Sequence, residues 1–258
     1  MTEQSISYEV RELIAEVTID RPPVNALSSS EWKDLTEVFY SIGSRNDVSV
    51  VILTAAGRGF CAGADIQETA ADTNGRIIVQ VNKACRECFA AIYDCPVPVI
   101  GAIHGFCVGG GIGLAGSCDM LIAAENATFG LPEIDRGALG AATHLIRLFP
   151  PLKARRMFYT GSTVDAHEAY RLGAVEKVVA PDELLEEARN LAREITDKSI
   201  EALRLAKESL NGIELIDVKK SYRFEQGFTL ELFTSEDSAE ARRAFVEKRP
   251  PSFKKKRQ

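Results

Sequence analysis

Between two apolar runs, Val97–Ile103 and Asp119–Ala124, the chain carries HGFCVGGGIGLAGSC. This connection constrains the fold more than any other segment. Gly109, Gly110 and Gly111 predict a sharp turn that opens a short helix ending near Gly116. The next strand starts near Asp119, so no full crossover helix separates the glycines from it, as a βαβ unit would require. Gly111–Gly116 formally matches G-x-G-x-x-G, and Glu133 or Asp135 supplies an acid about twenty residues on. Neither acid ends the strand that follows, so the dinucleotide reading is rejected on geometry. No G-x-x-x-x-G-K-[ST] phosphate loop is present. What the run does offer is bare backbone N–H groups at a helix start, which stabilise negative charge. A lone carboxylate, Glu133, follows behind Pro132. One acid beside an amide cradle points to enolate chemistry on a carbonyl compound.

Strands alternate with helices up to about residue 180, which predicts an α/β core. Ser5–Ile19 reads as a hairpin turning at Arg11-Glu12, Ser28–Ile42 as a helix, Val48–Thr54 as a buried strand, and Gly57–Asp65 as a glycine-rich loop. Asn74–Tyr93 predicts a long helix. Further helices are expected from Ala141, over Leu152–Tyr159, and over Val164–Leu172 with Gly173 as the stop; Val175–Val179 is a short strand. From Pro181 onward the pattern is helical, through Asp182–Asp197, Ser199–Asn211, Asp217–Phe233 and Asp237–Lys248. The expected division is a core over 1–195 and a helical region over 196–258 that serves assembly and covers the active site.

A chain of 258 residues, 45% hydrophobic and 26% charged, can bury a large core. Its net charge of −6 argues against nucleic acid as a partner. The one basic run, Lys254-Lys255-Lys256-Arg257, reads as a solvated tail. No apolar run reaches membrane-spanning length, and MTEQSISYEV lacks the apolar segment of a signal peptide. A cytoplasmic location with reduced thiols is therefore expected for the six cysteines. Cys85 and Cys88 form a C-x-x-C without a second pair, which reads as helix packing; no metal-ligand set is expected.

Five segments in order resemble the crotonase (enoyl-CoA hydratase/isomerase) superfamily: IDRPPVNALS (19–28), GRGFCAGADI (57–66), PVIGAIHGFCVGGGIGLAGSCDMLIA (98–123), ATFGLPEI (127–134) and AFVEKRPPSF (244–253). The resemblance covers nearly the whole chain. It implies a spiral of ββα turns with a helical C-terminal region, assembled as a homotrimer or a dimer of trimers. It implies an acyl-CoA substrate and no permanently bound cofactor, coenzyme A arriving as part of the substrate. It implies that the N–H groups of Ala64 and Gly110 hold a thioester enolate; losing one such donor commonly costs ~3 kcal/mol of barrier stabilisation. It places Cys61–Ile66, hence Ala62, Ala64, Asp65 and Ile66, along an adenine pocket, and suggests Arg21 and Arg58 as partners for CoA phosphates, against ordinary surface charge.

Hydratases that the chain resembles carry two glutamates, one two positions after the glycine triplet and one after F-G-x-P. Here the second is Glu133, but the first is Gly113. Either Gly113 lets the helix pack closely, or the site has given up an acid to make room for a bulky acyl group. Ala141 occupies the position where dienoyl-CoA isomerases place an aspartate, and His144 is expected near a helix start by the acyl pocket. Asp135 and Arg136 read either as a plain surface pair, the favoured reading, or as a local pair that orients Glu133.

TFGLPEIDRGALGAATHLIRL (128–148) and SYRFEQGFTLEL (221–232) resemble one branch in particular, the CoA-ester hydrolases that open the last steroid rings in bacterial cholesterol catabolism. That reaction can run on one base. The resemblance gives this role to Glu133, with Glu225 as a conceivable second participant or else a helix-surface or subunit contact. The alternatives are a Δ3,Δ2-enoyl-CoA isomerase and a hydratase, the latter disfavoured by Gly113. In another class stands a non-catalytic binding protein on the same fold, such as an RNA binder, disfavoured by the acidic charge.

Overall fold

A computed structural model describes residues 5–70 and 75–252, excepting the side chains of Thr69 and Ala70. The basic tail 254–257 and the expected helix start at Asn74 lie outside the described residues. The chain opens with the hairpin β1 (Ile6–Arg11) and β2 (Ile14–Ile19), which turns at Glu12-Leu13, one residue later than the sequence suggested. After β3 (Ala26–Leu27) comes α1 (Ser29–Gly43). Ser28 starts this helix through a capping box: its backbone N–H donates to Glu31 at 2.7 Å, and its Oγ caps the Glu31 N–H. Trp32, Leu35, Phe39 and Ile42 then fall on one buried face. Full burial of each large side chain contributes roughly 1.5–3 kcal/mol.

β4 (Val50–Ala55), β5 (Gly63–Ala64), α2 (Ile66–Ala70) and α3 (Arg76–Tyr93) complete the first spiral turn. The next is β6 (Val99–Ile103), β7 (Phe106–Val108) and α4 (Gly110–Ala115). A third follows in β8 (Met120–Ala124), β9 (Thr128–Gly130), a 3-10 turn over Pro132–Arg136 and α5 (Ala142–Leu148). Each turn thus lays one strand in a six-stranded sheet, ordered β1-β2-β4-β6-β8 and then β11, and one short strand in a second layer, before a helix returns the chain. Only the β1–β2 pair of the large sheet is antiparallel. The expected α/β class and ββα spiral are what the chain forms.

The second-layer strands were not legible as strands, because two or three residues carry no periodicity. One expectation needs correction. Val164–Leu172 is not a single helix: β10 (Thr163–Asp165) pairs antiparallel with β9, and α7 (Ala166–Arg171) starts only after Asp165 caps the Glu168 N–H. An N-cap residue is extended, so the aspartate that begins the helix also ends the strand. Between α5 and β10 runs α6 (Pro151–Thr160), and β11 (Lys177–Val179) closes the large sheet.

α8 (Leu184–Thr196) covers one face of that sheet with Leu184, Ala188 and Ala192, against Val50, Ile52, Ile100 and Ile122. The other face packs on α1, α3 and α4. α9 (Ile200–Ile213), α10 (Val218–Phe233) and α11 (Glu236–Val246) form the C-terminal arm. A buried Lys207 anchors it: its Nζ lies 2.5 Å from Asp119 Oδ2, which also accepts the Val99 N–H at 2.7 Å. No described helix is long and apolar enough to cross a membrane.

Candidate active site

The spiral brings two glycine-rich pieces together, the 57–65 loop and the Gly109–Gly111 run. β3 and β5 pair in parallel, with the Asp65 N–H donating to the Leu27 carbonyl at 2.9 Å. Successive amides in an extended strand point to opposite sides, so the Ala64 N–H faces away from β3. Gly110 is the first residue of α4, where no preceding turn supplies a carbonyl for its N–H. A Cβ on Gly63 would stand 2.8 Å from Gly110 N, so the two segments touch. Ala64 and Gly110 both line one cleft, together with Ala62, Asp65, Ile66, Gly109 and Glu133.

Glu133 enters the cleft from the 3-10 turn. The residue is half-buried, but its carboxyl end is enclosed and Oε2 has no hydrogen-bond partner. Burial pushes its pKa up from an ordinary 4.5 to about 7, a nearby Glu225 adding slightly and Arg136 opposing. The carboxyl fits there because Gly109 has no side chain: a Cβ at that position, whose φ is +61°, would lie 2.5 Å from Glu133 Oε1. A buried acid that titrates near neutrality and spends one oxygen on nothing in the protein is suited to taking and returning protons.

Several expected site residues lie elsewhere. Gly113 is buried in α4 and faces Phe89, not the cleft; any Cβ there would collide with the Phe89 ring. The space given up by a side chain is filled by the ring of Phe89, which itself lines the cleft. His144 is also absent from the wall. Its ring is fully buried between Phe89 at 4.8 Å and Tyr222 at 5.0 Å, and neither nitrogen has a partner. Burial pushes its pKa down to about 3, so it stays neutral and serves as packing. Arg21 holds Glu31 at 2.7 Å, Asp65 at 2.9 Å and the Ala26 carbonyl. It fixes the 62–65 loop against α1. Arg58 is exposed.

Glu225 does not line the cleft either. It reaches from α10 to the start of α5, accepting from Ala142 N at 3.0 Å, Thr143 N at 2.7 Å and Thr143 Oγ1 at 2.8 Å. The residue at the cap position, Ala141, has a φ of +56° and no capping side chain, so α10 supplies the cap in its place. Replacing Glu225 with Ala is expected to cost ~1–3 kcal/mol in urea unfolding, because two backbone donors lose a charged acceptor. The folded variant should keep kcat within about tenfold; a loss of several orders of magnitude would put Glu225 back in the chemistry.

The far wall comes from the arm, through Tyr222, Thr229, Phe233, Arg242 and Phe245. Sequence reasoning missed these because their apolar spacing is that of any packed helix. The six cysteines are buried thiols, and Cys85 reaches the cleft wall, consistent with packing.

The enoyl-CoA hydratase/isomerase family model matches residues 9–256, and the chain belongs to that family, the crotonases, an enzyme family. It is 50% identical over 235 residues, 91% of this chain and 95% of the relative, to the (7aS)-7a-methyl-1,5-dioxo-2,3,5,6,7,7a-hexahydro-1H-indene-carboxyl-CoA hydrolase of Mycobacterium tuberculosis. The Rhodococcus jostii hydrolase of the same name is 49% identical, covering 92% of each chain. Among solved structures, a carnitinyl-CoA hydratase from Mycobacterium avium superposes with a TM-score of 0.83 at 28% identity, covering 98% of this chain and 99% of that one.

Proposed function

We propose that the protein hydrolyses a carbon–carbon bond in the ring of a cyclic keto acyl-CoA, in steroid degradation. Glu133 is the base, and the Ala64 and Gly110 amides hold the thioester oxygen. Glu133 takes a proton from water as the water oxygen bonds to the ring carbonyl carbon. The ring C–C bond breaks, and its electron pair moves to the carbon side conjugated with the thioester. The resulting enolate oxygen sits at the two amides, which need no reorganisation to meet it. Protonated Glu133 then returns its proton to carbon. The observation that supports this reading is the enclosed Glu133 carboxyl, with Oε2 unpartnered, in the cleft that Ala64 and the helix-opening Gly110 also line, with glycine where a second acid would stand.

Coenzyme A is proposed to lie along Ala62–Ile66, arriving with the substrate. The arm from residue 196 is proposed as an assembly surface for a homotrimer or dimer of trimers. Leu205, Leu210, Ile213, Leu215 and Phe224 on it are exposed apolar side chains. The Δ3,Δ2-enoyl-CoA isomerase alternative rests on the same lone carboxyl, which can shuttle a proton between carbons.

The test is a comparison of purified enzyme on a bicyclic dioxo acyl-CoA, crotonyl-CoA and a 3-enoyl-CoA. Ring hydrolysis adds the mass of one water and opens a carboxylic acid. Brisk hydration of crotonyl-CoA with an untouched bicyclic substrate would overturn the assignment. A second readout follows from the buried base. kcat/KM should rise about tenfold per pH unit below pH 7 and level off above it, because Glu133 must be ionised to act.

A further inference from the structure

Arg136 is the second charged group that the 3-10 turn sends into the cleft. Residues three apart eclipse on such a turn, so Glu133 and Arg136 project from the same side, and both line the cleft. Yet no ion pair joins them, and Glu133 Oε2 remains without a partner. Asp135 does not take the guanidinium either; its carboxyl lies against Gly161, where a Cβ would stand 3.1 Å from Asp135 Cγ. The Arg136 guanidinium lies over the Phe245 ring, 4.9 Å from the centroid, and makes no hydrogen bond or ion pair among the described residues. The other arginine of the wall, Arg242, is engaged: its Nη1 meets Ser238 Oγ and the Phe233 carbonyl. A half-buried guanidinium in a mainly apolar cleft, stacked on an aromatic face and acting on Glu133 only through space, has its hydrogen-bond donors ready for an anion.

We infer that Arg136 receives the carboxylate that ring hydrolysis creates, and so is the side chain that fits this cleft to ring opening over water addition. The inference rests on the hydrolase reading above. Addition of water to an enoyl thioester and migration of its double bond create no new charge in the acyl group. Ring cleavage does. Water supplies OH to the ring carbonyl carbon and H, by way of Glu133, to the carbon released as an enolate. The new carboxylic acid then loses its proton to solvent. The carboxylate must lie on the ring side of the substrate, away from the thioester oxygen at Ala64 and Gly110. Arg136, one turn beyond Glu133, is placed for it. Before cleavage the same guanidinium can donate to the ring ketone and draw charge toward the oxygen that water attack makes negative.

The test uses Arg136→Gln and Arg136→Lys in the full-length enzyme, with product inhibition as the main readout. Native enzyme should bind the ring-opened product about tenfold or more tightly over its primary-amide counterpart, in which the carboxylate is neutral. Arg136→Gln should erase that preference and lower kcat/KM for the bicyclic substrate by about tenfold or more. Butyryl-CoA, which has no second carboxylate, should bind both forms within about twofold. Arg136→Lys should restore part of the preference, since it keeps the charge and loses the fork. Native enzyme that hydrolyses the bicyclic substrate while Arg136→Gln keeps the carboxylate preference would overturn the Arg136 assignment and leave the hydrolase reading intact. Native enzyme that leaves the bicyclic substrate whole would overturn both. Should Arg136→Gln not fold, equal binding of product and amide by native enzyme overturns the assignment by itself.

Discussion

Glu133→Gln is expected to lower kcat for ring opening by about 10²–10⁴-fold while acyl-CoA affinity stays within a few fold. The amide keeps the size and the contact with Gly109 but cannot accept a proton. Unchanged turnover would remove Glu133 from the mechanism. The same substitution should strengthen the fold at high pH, and the sign follows from the raised pKa. In the unfolded chain the carboxyl ionises near 4.5; in the folded protein it does so near 7. The protonated form is therefore the one the fold favours. Its contribution is complete below pH 4.5 and is lost as pH rises toward 7. Glutamine stays neutral, so its stability advantage over glutamate should grow across that window and level off above pH 7 at ~3 kcal/mol. Urea titrations at pH 5 and pH 8 measure it. A variant no more stable than native at pH 8 would mean that the carboxyl is less enclosed than its setting indicates.

The second large effect concerns Gly113. Installing the acid that a two-glutamate site carries, as Gly113→Glu, should not convert the enzyme to a hydratase. The side chain would enter the Phe89 ring, and its charge would be buried without a partner. Loss of several kcal/mol, enough to unfold a marginal domain, is the expected result. Gly113→Ala separates the two causes: it adds volume alone and should cost ~1–3 kcal/mol. Phe89→Ala creates the matching space, so the pair Gly113→Ala with Phe89→Ala should lose less than the sum of the singles in a thermal melt. Additive losses would show that helix and ring do not share the space.

Glycine and glutamate were the legible parts of this site, for a chemical reason. A helix start that must approach another backbone tolerates few residues other than glycine, and a proton carrier must be a titratable side chain. Both requirements act on residue type, so both show in the sequence. Arg136 was visible as a charge but not as a cleft residue, because the turn that aims it inward is only five residues long. His144 was expected near a helix start by the acyl pocket; it does stand in the first turn of α5, but two aromatic rings enclose it and keep it neutral. Glu225 was read as catalytic or peripheral, and it is a helix cap delivered across 82 positions of sequence, which no local pattern displays. The large sheet and long helices were legible from periodicity. Val164 was not, since one strand residue before an aspartate reads equally well as a helix start.

The arm anchored by Lys207 has an evolutionary consequence. The proposed amides and base lie within residues 62–133, whereas the opposing wall comes from residues 222–245. The proposed reacting groups, with Arg136 beside them, and the far wall are thus inherited on different stretches of the gene. Substitutions in the last two helices can reshape that wall without touching Ala64, Gly110 or Glu133, so descendants of one ancestor can alter the shape of this cleft by changing a short 3′ portion of their coding sequence.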